Sequence, residues 1–345
     1  MIAKHMSGHA AGLLRRKTAI VIPVYLPAGV NQAHGRSLVE DTAARCCEQV
    51  EDPARVCLSV DGEACGGQTA AEVALALGAS CCSARETQGK LRAVARGLRC
   101  LLERNDPAYV AVLDQDGDHF ANELLSFVRV AEHAAGGVGT SRVLVLGQRS
   151  SRHRPMGFFR GELEELADRV LLDALHYRAA MSGRPLRLEY ALALGEFPDF
   201  HSGYKLFSID AARDVFLGPE KQAGVSDDAY YRHGVEAVMC VEALERGAYL
   251  AAVRRTTFNE QPISTFGLFE RRQMVADKII WPCKRLSIPA RFVRQWLDNH
   301  VPQLLLNTVA PYGKEELTAI RTIVLAAFAG EDGGNPVEPL EPLYA

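Results

Sequence analysis

Tyr109-Val-Ala-Val-Leu113 is an unbroken apolar run that stops at Asp114-Gln-Asp-Gly-Asp-His119. Apolar residues without alternation suit a strand buried on both faces, as in a parallel sheet covered by helices on either side. The acids that follow, Asp114, Asp116 and Asp118, cannot sit beside such a strand unless something offsets their mutual repulsion. A divalent cation is the natural partner. Alternating carboxylates on one side of a turn leave the ion open to water and to phosphate oxygens, as Mg2+ or Mn2+ prefers. An EF-hand is excluded, because its sixth position needs Gly and its twelfth Glu, whereas His119 and Leu125 stand there.

Upstream, the same plan repeats. AIVIPVY (Ala19 to Tyr25) reads as a first strand, and Ser37-Leu-Val-Glu40 as a capping box opening a helix to about Val50. RVCLSVD (Arg55 to Asp61) is a second strand, and Thr69-Ala-Ala-Glu72 a second capping box. A short strand over 78–82 and a helix from Gly89-Lys90 to about Arg104 lead back to the Tyr109 strand. Downstream come a helix over 122–135 and a strand over 142–146. The fold class is therefore α/β, a mostly parallel sheet flanked by helices. Loops after the C-terminal strand ends build the ligand site of such sheets, and Asp61 and the Asp114–His119 cluster lie at two of those ends.

Beyond Arg149 the periodicity changes to a long helix over 161–181, a short strand in HSGYKLFSID, a helix over 234–246, a strand over 249–253 and a helical stretch after Phe266. This gives an N-terminal tail (1–17), an α/β half (18–150), a second half (151–265), a helical C-terminal extension (266–330) and a loose tail (331–345).

Composition narrows the function. The 345 residues are 48% apolar and 23% charged, which describes a globular chain, and 39 basic against 42 acidic residues give no footprint for nucleic acid. The longest apolar stretches, Ala19 to Val24 and Ile323 to Ala329, are far shorter than the roughly 18 to 20 residues of a membrane span. No signal peptide is read, and a cytoplasmic location is expected. The nine cysteines, seven of them in the first hundred residues, contain no C-x-x-C pair and are read as reduced, mostly buried thiols, with Cys46-Cys47 and Cys81-Cys82 as the adjacent pairs. A sugar nucleotidyltransferase is disfavoured, because Pro23-Val-Tyr-Leu-Pro27 follows the first strand in place of a glycine-rich phosphate loop.

Five segments in order resemble the nucleotide-sugar-dependent glycosyltransferases of the GT-A fold, particularly the family 2 and polyprenyl-phosphate mannosyltransferase-like branch. They are AIVIPVY, SVDG (Ser59 to Gly62), GKLRAVARGL (Gly89 to Leu98), VLDQDGDH (Val112 to His119) and HSGYKLFSID (His201 to Asp210). The resemblance covers about 18–253. It implies a donor half over 18–150, in which Pro23, Tyr25 and Asp61 hold the nucleobase and ribose and Lys90 lies near the base or phosphates. Asp116 would bind the metal, Asp114 would contact the ribose or the metal, Gln115 is a variable position in the nucleotide site, and Asp118 is a further metal ligand. The donor would be a UDP- or GDP-sugar.

Such chemistry needs a Lewis acid for the departing diphosphate and a base for the acceptor proton. Glu236, in VEAVMCVEALERG, falls where the family's E-D-x-x-L helix carries its base, although Val235 replaces the first acid. Asp199 and Asp228, beside Asp227, are the other candidates. His119 and His201 could complete the metal shell or contact phosphate. Arg149, Arg152 and Arg154 could clamp an acidic acceptor, and Gln261 falls where related enzymes carry Q-x-x-R-W, without the Arg-Trp. The acceptor-binding half would be 151–265, for a carbohydrate, small-molecule or lipid-phosphate acceptor. Lys278, Lys284, Arg285, Arg291 and Arg294 offer a peripheral contact with anionic lipid. The reading is a metal-dependent, inverting glycosyltransferase; the alternative is a non-catalytic nucleotide-sugar sensor or scaffold.

Overall fold

The structure, a computed structural model, describes residues 2–192, 195–257 and 270–330, the side chains of residues 2–7 excepted. Residues expected as a tail form helix α1 (Ile2–Lys17), whose Ala10 and Leu14 are buried. The chain continues through β1 (Thr18–Val24), α2 (Gln32–Cys47), β2 (Val56–Val60), α3 (Gly67–Leu77), β3 (Ser80–Ser83), α4 (Lys90–Leu102) and β4 (Tyr109–Val112). After α5 (Leu124–Val138) and β5 (Val143–Arg149) come α6 (His153–Ser182), broken by non-helical Gly157, then β6 (Lys205–Ser208) and α7 (Ile209–Phe216). A π-turn at Ala229–His233 leads into α8 (Val235–Glu245), β7 (Tyr249–Arg255) and the C-terminal helices α9 (Arg271–Arg285), α10 (Ala290–His300), α11 (Leu306–Val309) and α12 (Gly313–Ala326).

One seven-stranded sheet runs in the order β3-β2-β1-β4-β6-β5-β7, parallel except for β6. The expected mostly parallel sheet with helices on both sides and a helical C-terminal extension is what the chain forms. β6 and β7 join the same sheet as the first half, so the stretch beyond residue 150 is not a separate layer.

Both proposed capping boxes go unused. Asn31 caps α2 by accepting from His34 N at 3.0 Å, so that Ser37 falls inside the helix. α3 begins at Gly67, behind Gly66 in a left-handed conformation, and Glu72 reaches Arg36 instead of its own helix start. In both cases a turn residue upstream supplies the start before the Ser/Thr can.

The site is set by a fork. β1 pairs with β4 only as far as Val21↔Val112, and Pro23, which has no N–H to offer, lies beyond that pairing. The chains leaving β1 and β4 diverge there, at the switch point where strand order reverses. Because β6 is antiparallel, the residues before it reach the same sheet end as those that follow β4 and β5.

Candidate functional site

A cavity of about 260 Å³ opens at this fork. Pro23, Tyr25, Asp61, Lys90, Asp114, Gln115, Asp116 and Asp118 all line it, as do Glu236, His119 and His201. Residues expected from six separate segments thus meet at one place.

Asp61, at the end of β2, turns its carboxylate to the start of α4, accepting from Gln88 N (2.6 Å) and Gly89 N (3.0 and 3.1 Å). Gly89 has a φ of 97°, and a β-carbon there would meet Tyr231 O at 2.5 Å, so the close approach needs glycine. The next residue, Lys90, bridges Asp114 (2.6 Å) and Glu236 (2.7 Å). Burial alone would lower its pKa, but those two carboxylates hold it above the ordinary lysine value. Glu236 experiences the reverse: burial pushes it up, yet Lys90 and Lys205 bring it below the ordinary range. It is ionised and held as an ion-pair partner.

Gln115 makes a two-point contact with the Tyr25 backbone, accepting from its N–H (2.9 Å) and donating to its carbonyl (2.7 Å). It locks the β1 and β4 loops together. Asp116 accepts from Asp118 N at 3.2 Å across a turn in which Gly117 has a φ of 76°. Burial, then Asp114 and Asp118, raise the Asp116 carboxyl to about 7. Asp118 is pinned by Arg255, which donates to its Oδ2 and its carbonyl, both at 3.0 Å. Gly203 lies so close to Asp114 Oδ2 that any β-carbon would collide with it.

The cavity lining carries six carboxylates, Asp61, Asp114, Asp116, Asp118, Glu164 and Glu236, and six cations, Lys90, Arg149, Arg160, Arg232, Arg255 and Lys278, with three of the acids crowded together at Asp114–Asp118. Three buried atoms of the cavity lining have no hydrogen-bond partner among the described residues, Asp118 Oδ1, His201 Nε2 and Arg255 Nε. His201 is held by Asp168, which accepts from its backbone N (3.2 Å) and contacts Nδ1 (2.8 Å), a carboxylate–histidine arrangement that orients a ligating imidazole. His119 is different. Its Nδ1 accepts from Asp114 N at 2.9 Å, it stacks on Tyr204, and burial followed by Arg255 keeps it neutral well below its ordinary pKa. The crowded carboxylates and the orphaned Asp118 Oδ1 and His201 Nε2 are donor types that Mg2+ or Mn2+ takes, but no three of their ligand atoms lie within 4.8 Å of one another among the described residues, so a bound ion would have to draw them together.

Several expectations are corrected. Asp199 is fully buried outside this cavity, held by Arg149 through Nε (2.7 Å) and Nη2 (2.6 Å), and its pKa lies below the ordinary range because, against the upward push of burial, the Arg149 charge dominates. It anchors the structure and cannot act as a base. Asp228 is exposed and paired with the cavity residue Arg232, without lining the cavity itself. Arg149 is the last residue of β5, not part of an exposed loop, and is committed to Asp199 and Glu164. Arg152 binds Asp168 at 3.1 Å, and Arg154 does not line the cavity. Lys278 is a buried cavity residue and Arg285 pairs with Glu242, so neither belongs to a lipid-facing surface; Lys284 lies over the Phe328 ring and Arg291 over Phe292. Gln261 lies outside the described residues.

Sequence reading missed Arg255, Asp168 and Lys205. Fully buried Lys205 donates to Phe200 O (3.0 Å) and Ser202 O, fixing the loop that carries His201 and Gly203. A charged residue inside an apolar strand was the available signal.

No protein-family model matches the sequence, and no curated protein matches it. Among solved structures, the chain is similar to glucosyl-3-phosphoglycerate synthase from Mycobacterium tuberculosis, in a crystal structure with Mg2+ and UDP. The identity is 17%, the match covers 83% of this chain and 84% of that one, and the TM-score is 0.46. It is also similar to S. aureus TarS 1-349, at 11% identity over 89% and 90% of the two chains, with a TM-score of 0.40. Among the described residues, no helix is long and apolar enough to cross a membrane.

Proposed function

We propose that this protein is a metal-dependent, inverting glycosyltransferase that moves a sugar from a UDP- or GDP-sugar to an acceptor hydroxyl or phosphate. The observation that carries the reading is the crowding of Asp114, Asp116 and Asp118 in a cavity at a sheet switch point, where burial and the two neighbouring acids raise Asp116 to about 7. Asp116 and Asp114 would hold Mg2+ or Mn2+, with Asp118 Oδ1 and His201 Nε2 as further donors. When bound, that ion neutralises the diphosphate leaving group.

The chain's own residues supply the rest. Pro23, Tyr25 and Asp61 border the nucleoside; Asp61 retains acceptor capacity beyond its backbone bonds, since a carboxylate offers about four lone-pair sites. Gln115 positions the Tyr25 backbone. Lys90 links donor and acceptor sides, because a phosphate drawing it from Glu236 would release that carboxylate to take the acceptor proton. The donor half is 18–150 and the acceptor half 151–265, with the C-terminal extension 266–330 closing the cavity through Met274 and Lys278. The acceptor is a carbohydrate, a small molecule or a lipid phosphate, which would need no base.

The second reading, a sensor that binds nucleotide sugar without turnover, is favoured by the low pKa of Glu236, which makes it a weak base. Donor hydrolysis and transfer to acceptor mixtures, measured with Mn2+, separate the two. Turnover that falls by roughly 10²-fold or more in Glu236→Gln with donor binding retained, and vanishes in Asp116→Ala, supports the enzyme. Metal-dependent donor binding without any hydrolysis or transfer would support the sensor.

A further inference from the structure

Away from the cavity, three thiols from three elements converge: Cys57 on β2, Cys82 on β3 and Cys100 on α4. Cys57 is buried, and Cys82 and Cys100 are half-buried, so the cluster opens toward solvent on one side. Their sulfur atoms all lie within 4.8 Å of one another, and Cys57 and Cys82 are 3.7 Å apart. That spacing, in the metal-free protein an S–H···S contact, also suits a shared ion: a thiolate bond of about 2.3 Å to Zn2+ puts sulfurs in a tetrahedral shell about 3.8 Å apart.

The sheet register argues against the competing use of this pair. Cys57 stands opposite Ser80, and Cys82 opposite Ser59, so the two cysteines are offset by two residues across parallel strands. Strands about 4.8 Å apart with a rise of about 3.3 Å per residue place their α-carbons roughly 8 Å apart, beyond the reach of a disulfide without backbone movement. An ion spans that offset where an S–S bond does not.

The three thiols already form one hydrogen-bonded group: Cys57 is bonded to both Cys100 and Cys82, and those bonds and burial hold its own proton on, so an ion would have to displace it. Ser59 Oγ contacts Cys82 Sγ at 3.4 Å while donating to Ala93 O, which fixes that thiol's direction.

We propose that Cys57, Cys82 and Cys100 form a three-thiolate site for one thiophilic divalent cation, Zn2+, with the fourth position open to solvent. Three S–H protons leave to solvent as three S–metal bonds form, with no change of oxidation state. The ion would clamp α4 to β2 and β3, one end of which carries Asp61 and Lys90. Its preference for sulfur separates it from the oxygen-rich cluster at Asp116.

Reduced, metal-free protein titrated with Co2+ in excess Mg2+ tests the site through the sulfur-to-cobalt charge-transfer absorbance, followed by displacement with Zn2+. One equivalent should bind. Cys82→Ser and Cys100→Ser, at half-buried positions, should each remove about a third of the thiolate absorbance and weaken Zn2+ at least about tenfold. Cys81→Ser, on the opposite face of β3, and Asp116→Asn should leave both unchanged. Absorbance that is absent in the wild type, or persists undiminished in both Cys82→Ser and Cys100→Ser, would overturn the proposal. So would a Cys57–Cys82 disulfide in the protein purified without reductant.

Discussion

Two groups of buried charge border the same cavity and obey opposite rules. Around Arg149, carboxylates alternate with cations: Asp199 and Glu164 take the guanidinium, and Glu164 also receives Arg160 (3.3 Å) and Lys278 (3.4 Å). Around Asp116 the nearest charges are Asp114 and Asp118, and its carboxyl rises to about 7 while that of Asp199 is held low. An alternating cluster holds structure together, and a crowded acidic one stores repulsion that an incoming cation relieves. The same chemical substitution should therefore change stability in opposite directions at the two sites.

The largest effect is expected at Asp199→Asn, which leaves buried Arg149 with only Glu164, already shared with Arg160 and Lys278. Urea unfolding should show a loss of about 3–5 kcal/mol. A loss below 1 kcal/mol would mean that the alternating cluster is not structural.

Asp116→Asn should instead stabilise the metal-free protein. Folding raises this pKa from 3.8 to about 7, so the charged form is penalised in the native state. The penalty is absent below pH 4, where both states are protonated, grows as pH rises toward 7, and is complete above it. Asp116 keeps part of its surface on the cavity, and solvent screens the repulsion there. The expected gain at pH 8 is about 1–2 kcal/mol, not the ~4 kcal/mol that such a rise carries in a sealed interior. Unfolding curves for both proteins at pH 4 and pH 8 check the sign, and Mn2+ should close the gap at pH 8 by stabilising only the wild type.

Gly203→Ala sharpens the comparison from the metal side. Its methyl group must displace Asp114 Oδ2, and Mn2+ affinity, read by paramagnetic resonance, should fall about tenfold, or ~1.4 kcal/mol. An effect of similar size is expected at Gln115→Leu, which loses the two bonds to the Tyr25 backbone without touching the acids. A stability loss of about 1–2 kcal/mol, with weaker nucleotide binding but unchanged Mn2+ affinity, is the expected result.

The sequence made the strands and the acid cluster legible because both are local: an apolar run followed by carboxylates is visible in eleven residues. Glu236, Asp199 and Asp228 could not be ranked in the same way, since each is an acid whose role depends on a distant cation: Lys90, Arg149 or Arg232. Arg255 pins Asp118 across 137 residues of chain, and no local pattern announces it. The antiparallel insertion of β6 between β4 and β5, which brings His201 and Gly203 to the site, is likewise a property of topology rather than of any segment. The thiol cluster was hidden for the same reason, because its three cysteines come from separate elements without metal-site spacing.

The account rests on the crowded acids at Asp114–Asp118 being completed by a divalent metal together with a nucleotide sugar. Thermal unfolding at pH 8 against UDP-, GDP-, dTDP- and ADP-sugars, with and without Mn2+, on wild type and Asp116→Asn, tests this directly. A donor at about a hundred times its dissociation constant should stabilise the wild type by roughly 2.7 kcal/mol, a shift of a few degrees, only with Mn2+, with one nucleotide class, and not in the variant. No shift with any nucleotide sugar, or an equal shift in Asp116→Asn, would contradict it.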